Sequence, residues 1–342
     1  MTSSSIHAAP VAKAHVMMGY LIDKEGFETL IKVDSVEDVI RSLATRPHYR
    51  SFLTQEQLVS QPVEMAIKQA FFNVYEKLYH YYIGAYRDFF KALLLRYEVE
   101  NIKYLIRRVH NLSHFNISPK TLLIPSVYKT ISYENLMKAK QLSTLIEALS
   151  GTPYRELLKP FIDEEPAKML FHMEMVLDRY YFNVLRERMG RLNKMDRQLM
   201  LKLLGVNIDL LNIQWIYRGI HFFNISPEEI FNFTLSGGLK FDYKALKALC
   251  YYSLEAFRGE LDKSEYNIVF NTREYLMERE MERYLYYEID KILKVNAQTI
   301  ATPVALLFKF EYEIRDVLTI LEAIRFKSTE IESYLIRDLR RD

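Results

Sequence analysis

The segment that decides the fold is Asp209-Leu210-Leu211-Asn212-Ile213-Gln214-Trp215-Ile216-Tyr217-Arg218-Gly219-Ile220, followed shortly by Phe223-Asn224-Ile225-Ser226-Pro227-Glu228-Glu229-Ile230. Its apolar residues recur at helical spacing, which predicts one buried stripe along an α-helix. Ser226 before Pro227 is typical of a helix start, and Glu229 three residues after Ser226 forms a capping box. The segment therefore predicts two successive helices joined by a short turn.

The first helix pattern of this segment occurs three times in the chain. Each copy begins with an acid and has an amide or acid three residues later. The leading residues are Glu98, Asp209 and Glu313, and those that follow are Asn101, Asn212 and Asp316. The apolar stripes are Ile102, Leu105, Ile106 and Val109, then Ile213, Ile216, Tyr217 and Ile220, and last Val317, Ile320, Leu321 and Ile324. The copies are about 105–110 residues apart, which is the size of a small helical domain.

Two further elements recur in the same order. A helix start reads Phe115-Asn116-Ile117-Ser118-Pro119-Lys120-Thr121-Leu122 in the first copy and Ser328-Thr329-Glu330-Ile331, more weakly, in the third. Upstream of each acid, a turn ends in a tyrosine: Tyr49, Tyr154 and Tyr266. Between tyrosine and acid we expect one long helical stretch: Phe71 to Tyr97, Phe171 to Leu204 and Tyr275 to Leu293. The sequence thus predicts an all-α fold with helical repeat domains over residues 1–117, 118–225 and 226–342.

The composition agrees with long helices and excludes several classes of function. Gly and Pro number only 10 each, while 49% of the 342 residues are apolar. The formal net charge of +2 gives no electrostatic reason to expect nucleic-acid binding. We find no run of 18 or more apolar residues and therefore expect no transmembrane segment. The single cysteine, Cys250, lies in an apolar run and is interpreted as a buried side chain.

No catalytic, cofactor-binding or metal-binding motif occurs in the sequence. The repeated acids could serve acid–base chemistry, but three scattered copies favour a structural role early in a helix or against a neighbouring backbone. Two pairs at helical spacing, Glu76 with His80 and His110 with His114, could bind a metal only with outside ligands. The sequence lacks a phosphate-binding glycine loop, and Gly237-Gly238 is interpreted as a plain loop. We therefore predict no catalytic residue, no cofactor and no metal.

In their order and repetition these motifs resemble the C subunit of the vacuolar/archaeal-type ATPases, the counterpart of the eukaryotic d subunit. The strongest match is Asp209-Leu210-Leu211-Asn212-Ile213 with Arg218-Gly219, together with Gly151-Thr152-Pro153-Tyr154. The resemblance extends from about His15 to Leu335. The sequence departs from the family pattern in that Arg108 replaces the usual Gly, Asp316 replaces Asn, Glu322-Ala323 replaces Arg-Gly, and Arg46 and His48 interrupt Thr-Pro-Tyr.

The resemblance implies three similar helical domains in a pseudo-threefold arrangement that forms a funnel or socket. It also implies a non-catalytic central-stalk subunit of a rotary ATPase, at the cytoplasmic face of the membrane. The expected partners are the central-shaft subunits of D and F type and the membrane rotor ring of proteolipid. Two alternatives fit the sequence less well. A generic all-helical scaffold that binds peptides would usually show a shorter repeat of about 30–50 residues, and an all-helical prenyl-chain enzyme would need clustered aspartates, which do not occur in the sequence.

Overall fold

The computed structural model describes residues 3–110, 131–270, 273–328 and 330–341. All regular secondary structure within these ranges is helical, which confirms the predicted all-α class. The α-helices are α1 (Ser3–Met18), α2 (Lys24–Leu30), α3 (Val36–Ala44), α4 (Gln55–Ser60), α5 (Val63–Tyr79), α6 (Gly84–His110), α7 (Tyr133–Lys138), α8 (Leu142–Glu147), α9 (Pro153–Leu158), α10 (Pro166–Gly190), α11 (Lys194–His221), α12 (Pro227–Phe233), α13 (Tyr243–Cys250), α14 (Leu254–Leu261), α15 (Met277–Val295), α16 (Ala301–Phe326) and α17 (Ile331–Tyr334). Short 3₁₀ helices occupy Lys159–Phe161, Glu265–Phe270 and Glu274–Leu276.

The three copies of the repeated pattern occupy the second halves of α6, α11 and α16. The predicted apolar stripe is buried in each copy, except that its last member is half-buried in the second and third copies, at Ile220 and Ile324. The 3.6-residue spacing places these side chains on one face, and packing against other helices removes that face from water. The predicted stripes are therefore confirmed.

The predicted long helical stretch is two helices, not one, in the first two repeats. Residues 80–83 separate α5 from α6, and residues 191–193 separate α10 from α11. Gly84 adopts the left-handed region with φ 53°, and Asn193 accepts the backbone N–H of Asp196 at 2.9 Å at the start of α11. Because the second helix of each pair begins before the repeated acid, the acids lie mid-helix. The expectation that they lie early in a helix is wrong.

The predicted helix start at Ser226 is confirmed. Ser226 accepts the backbone N–H of Glu229 at 3.3 Å, and Pro227 is the first residue of α12. The corresponding start in the first repeat, from Phe115 to Leu122, lies outside the described residues, as does His114. In the third repeat Thr329 is likewise outside them, and α17 begins at Ile331.

The described chain divides into two compact units. The first contains Met1–Ile83, Asn193–Leu203 and Asp262–Asp342, and the second contains Gly84–Leu192 and Leu204–Leu261. In the first unit α16 packs against α1, α5 and α15. In the second unit α6 packs along α10. In both units, therefore, the second long helix of one repeat contacts the first long helix of another. The division into three domains stays a prediction.

One helix, α11, is long and apolar enough to cross a membrane by length and composition alone, although no transmembrane segment was expected from the sequence. In the described structure 72% of its apolar window is buried. The window contains Asp209 and Asn212, both with no exposed surface. Burial inside the fold accounts for the apolar character of this helix.

Candidate functional site

The strongest candidates for function are the repeated polar residues, and two of the three leading acids bind a tyrosine of another repeat. Tyr154 donates its hydroxyl hydrogen to Glu98 Oε1 at 2.8 Å, and Tyr49 donates to Glu313 Oε1 at 2.8 Å. Glu313 Oε2 also accepts the backbone N–H of Ile22 at 2.5 Å. The tyrosine of repeat two, Tyr154, thus bonds the acid of repeat one. The tyrosine of repeat one, Tyr49, bonds the acid of repeat three. Sequence spacing had grouped each tyrosine with the acid that follows it, so these pairings were missed.

The residue three positions after each acid holds a segment further along the chain. Asn212 accepts the backbone N–H of Leu235 at 2.7 Å and donates to its carbonyl at 2.9 Å. Asp316 accepts the backbone N–H groups of Ile336 at 2.6 Å and Arg337 at 3.0 Å. In the first repeat Asn101 donates to the hydroxyl of Tyr133 at 3.1 Å. The bonds of Asn212 agree with the interpretation that a repeated amide binds neighbouring backbone, and Asp316 binds backbone in the same way, whereas the bond of Asn101 goes to a side-chain hydroxyl.

Asp209 binds the loop that follows α12. Its carboxylate accepts the backbone N–H groups of Leu239 at 2.9 Å and Lys240 at 2.8 Å. This contact needs a glycine, because a Cβ on Gly238 would lie 2.0 Å from Asp209 Oδ1. Gly237, with φ 99°, makes the preceding bend. The two glycines do form a loop, as predicted, but sequence reasoning missed their role in enclosing the carboxylate.

Burial changes the protonation of the third repeat's acids. It raises the pKa of Glu313 from 4.5 to about 7, although the N–H of Ile22 and the hydroxyl of Tyr49 favour the ionised carboxylate. Burial also raises the pKa of Asp316 from 3.8 to about 7, against the opposing effect of its two backbone N–H bonds. Groups with such pKa values can serve as acids or bases. Here both carboxyl groups are enclosed by donors from the chain itself, which supports a structural role.

A row of ion pairs joins α6 to α10. Lys103, only 5% exposed, bonds Asp178 and also Glu100 at 3.0 Å. One turn further along, Arg107 bonds Glu174 at 2.5 Å. Burial raises the pKa of Asp178 to about 6, while the ammonium of Lys103 opposes that rise. In the sequence, Lys103 and Arg107 are four residues apart, as are Glu174 and Asp178. Residues at this spacing lie on one face of a helix, and this spacing was the sequence signal for the contact.

The histidines in the described part of the chain do not gather into a metal site. His80 lies at the end of α5 beside Tyr79, with a distance of 5.7 Å between ring centroids. His172 is buried, with Nδ1 2.7 Å from Glu164 Oε2 and Nε2 3.6 Å from Glu229 Oε1. Within the described ranges no group of three His, Cys, Asp or Glu side chains could hold a metal ion. Burial raises the pKa of the Cys250 thiol to about 12, which disfavours the nucleophilic thiolate.

The arrangement as a whole is suited to holding helices together. Each repeated acid or amide directs its hydrogen bonds to protein groups from a distant part of the chain. A buried polar group that is satisfied in this way fixes one packing arrangement, since any other arrangement leaves it unpaired. These contacts are suited to making the protein stiff. They are less suited to binding a substrate, because the polar groups are already bonded to the protein.

Comparison with known proteins identifies the family of this chain. The family model described as "ATP synthase (C/AC39) subunit" matches residues 10–334. The chain belongs to this family. The expected resemblance to the C subunit of the vacuolar/archaeal-type ATPases is thereby confirmed, and the chain is a subunit of the rotary ATP synthase class.

Curated C subunits of A-type ATP synthases are similar to this protein over most of the chain. The A-type ATP synthase C subunit of Methanosarcina mazei is 26% identical over 266 residues, which is 77% of this chain and 71% of that protein. The C subunit of the A-type ATP synthase of Thermococcus kodakarensis is 22% identical over 329 residues, covering 93% of this chain and 86% of that protein. That of Desulfurococcus sp. is 24% identical over 331 residues, with the same two coverages. The range matched by the family model, residues 10–334, includes all three copies of the repeat.

Proposed function

We propose that this chain is the non-catalytic central-stalk socket of a vacuolar/archaeal-type rotary ATPase. In this role it joins the central shaft, made of D- and F-type subunits, to the proteolipid rotor ring. It turns with both and passes torque between ATP hydrolysis or synthesis in the head and proton or sodium movement in the membrane. Its place is cytoplasmic and peripheral to the membrane. The observation that carries the proposal is the family match over residues 10–334.

The pairing of repeats supports three similar domains, over residues 1–117, 118–225 and 226–342. Glu98 of repeat one bonds Tyr154 of repeat two, and Glu313 of repeat three bonds Tyr49 of repeat one. Helix packing follows the same order, α6 with α10 and α16 with α5. Each of these contacts joins two repeats within one compact unit, which suits a subunit that must resist torque.

The buried hydrogen bonds and dense helix packing support torque transmission. Packed protein interiors have low compressibility and pass strain from one face to another. The row of ion pairs between α6 and α10 adds contacts that resist sliding of one helix along the other. None of the buried carboxyl groups described above is needed for chemistry in this role.

Co-purification tests the proposal. The chain is expressed alone and together with the two candidate shaft subunits from the same genome, followed by size-exclusion chromatography with light scattering. We expect a complex with one copy of each subunit, and a further complex with the detergent-solubilised rotor ring. A chain that stays monomeric with both the shaft subunits and the ring would refute the socket function.

A further inference from the structure

The third repeat has an ionisable side chain, Asp316, at a position where the first two repeats have a neutral amide. In repeat two Asn212 accepts the backbone N–H of Leu235, two residues after the end of α12. In repeat three Asp316 accepts the backbone N–H of Ile336, two residues after the end of α17. Asn212 has no exposed surface and Asp316 is only 1% exposed. Since a neutral amide makes the equivalent contact in repeat two, the contact itself does not require an acid.

Residues 335–339, which we call the C-terminal segment, contain no helix and bond to side chains of the long helices. Asp316 on α16 accepts two of the segment's backbone N–H groups. Arg283 on α15 donates to the carbonyl of Leu335 at 2.5 Å. Because these bonds run from the segment's backbone to side chains, the charge on Asp316 acts directly on the attachment of the segment.

The charged groups that face Asp316 leave its carboxyl group without an ion pair. Arg279 and Glu282 face it from α15, with opposite effects on its protonation. Arg337, in the C-terminal segment, directs its guanidinium to the carbonyl of Ile22 instead. Within the residues that the structure describes, no cation lies within ion-pair distance of Asp316. An ionised carboxylate at this place therefore has two backbone N–H groups but no partner of opposite charge.

Burial consequently favours the protonated form of this carboxyl group. It is the largest effect and raises the pKa of Asp316 from 3.8 to about 7, although the two N–H bonds and Arg279 favour the ionised form. An opened segment exposes the carboxyl group to water, where it releases its proton at lower pH. The stability that the proton contributes to the closed segment is complete below about pH 4 and is lost as the pH rises through about 7. The amides of the first two repeats do not titrate.

We propose that Asp316 is a proton-dependent latch for the C-terminal segment, which stays attached while the carboxyl group is protonated and opens more readily once it ionises. When the segment opens, Arg337 leaves the carbonyl of Ile22, so the contact with the N-terminal part of the chain weakens as well. The latch is a regulatory device of the fold that goes beyond the proposed function and acts in the isolated chain. It makes the first compact unit less rigid as the pH rises.

Hydrogen exchange of the full chain, followed by mass spectrometry between pH 5 and pH 8, tests the latch. Exchange rates over residues 335–339 are divided by those of a synthetic peptide of residues 328–342 at the same pH, which removes the intrinsic pH dependence of exchange. The test variant is Asp316→Asn. Glu313→Gln removes the other buried acid of α16, and Glu332→Gln, whose side chain is 51% exposed, is the surface control.

We expect protection of the wild-type C-terminal segment to fall at least about tenfold between pH 5 and pH 7, because one released proton changes an opening equilibrium up to about tenfold per pH unit. Asp316→Asn should remove most of this dependence, since an amide can still accept the N–H of Ile336. Glu313→Gln should keep more of the dependence than Asp316→Asn does. Glu332→Gln should behave as the wild type.

Four results would overturn the latch. Constant protection of the wild-type segment from pH 5 to pH 8 does so without any variant. An unchanged pH dependence in Asp316→Asn shows that another group titrates, and a larger loss of dependence in Glu313→Gln assigns the titration to the N-terminal contact. An equal fall in protection over α5 and α15 means that the whole unit unfolds and that no segment is released.

Discussion

At the residue scale, the buried carboxyl groups of α16 link stability to pH. The pKa of Glu313 and that of Asp316 are each raised by burial to about 7 in the folded protein, above their ordinary values of 4.5 and 3.8. The unfolded chain releases these protons at lower pH than the folded chain does. The stability they contribute is therefore complete below about pH 4 and is lost as the pH rises through about 7.

We accordingly expect the melting temperature to fall between about pH 4 and about pH 7, and Glu313→Gln to reduce that slope by roughly a third, because Asp316 and Asp178, whose pKa values burial also raises, still titrate. The glutamine can still accept the N–H of Ile22 and bond Tyr49. Differential scanning calorimetry across this pH range measures the effect. Glu322→Gln, an exposed acid on the same helix, is the control and should leave the slope unchanged. An unchanged slope in Glu313→Gln would contradict the raised pKa.

At the element scale, the contact between α6 and α10 depends on a buried cation. Lys103→Met leaves the half-buried Asp178 without its partner, which should cost less unfolding free energy than the about 3–5 kcal/mol typical of a fully buried pair. Lys103→Met combined with Asp178→Leu should recover most of that loss, because two apolar side chains can pack where two charges did. Urea denaturation measures both variants. Arg155→Ala, at an exposed pair with Glu147, should leave the unfolding free energy close to that of the wild type. An uncoupled, additive loss in the double variant would show that the pair does not act as one contact.

The elements themselves were largely predictable from the sequence. The spacing of Ile213, Ile216 and Tyr217 predicted the buried face of α11, and Ser226 with Pro227 predicted the start of α12, because both signals are local. The turn at residues 80–83 was missed, since the single Gly84, which follows large side chains and Ile83, is a weak break signal. The bond from Tyr49 to Glu313 joins residues 264 positions apart, and no local spacing can reveal it. Sequence repetition identified which polar residues matter but not which of them meet.

At the scale of the whole molecule, the ends of the chain form one body. Ile22 and Tyr49 both bond Glu313, and Arg337 donates to the carbonyl of Ile22. We expect this first unit to open cooperatively, because segments that share buried hydrogen bonds lose them together. Hydrogen exchange followed by mass spectrometry tests this with Glu313→Ala. Exchange should rise both over residues 20–50 and over residues 331–339, although these segments are far apart in sequence.

The second unit provides the matched comparison. Tyr154→Phe removes the bond to Glu98, and its effect should be confined to α6 and α9, with residues 20–50 and 331–339 exchanging as in the wild type. If Glu313→Ala raised exchange only around α16, the N-terminal segment would hold its structure independently. The contact of repeat three with repeat one would then contribute nothing to the stability of repeat one. A joint rise at both ends would instead mean that the last repeat stabilises the first, which a socket that carries torque without opening requires.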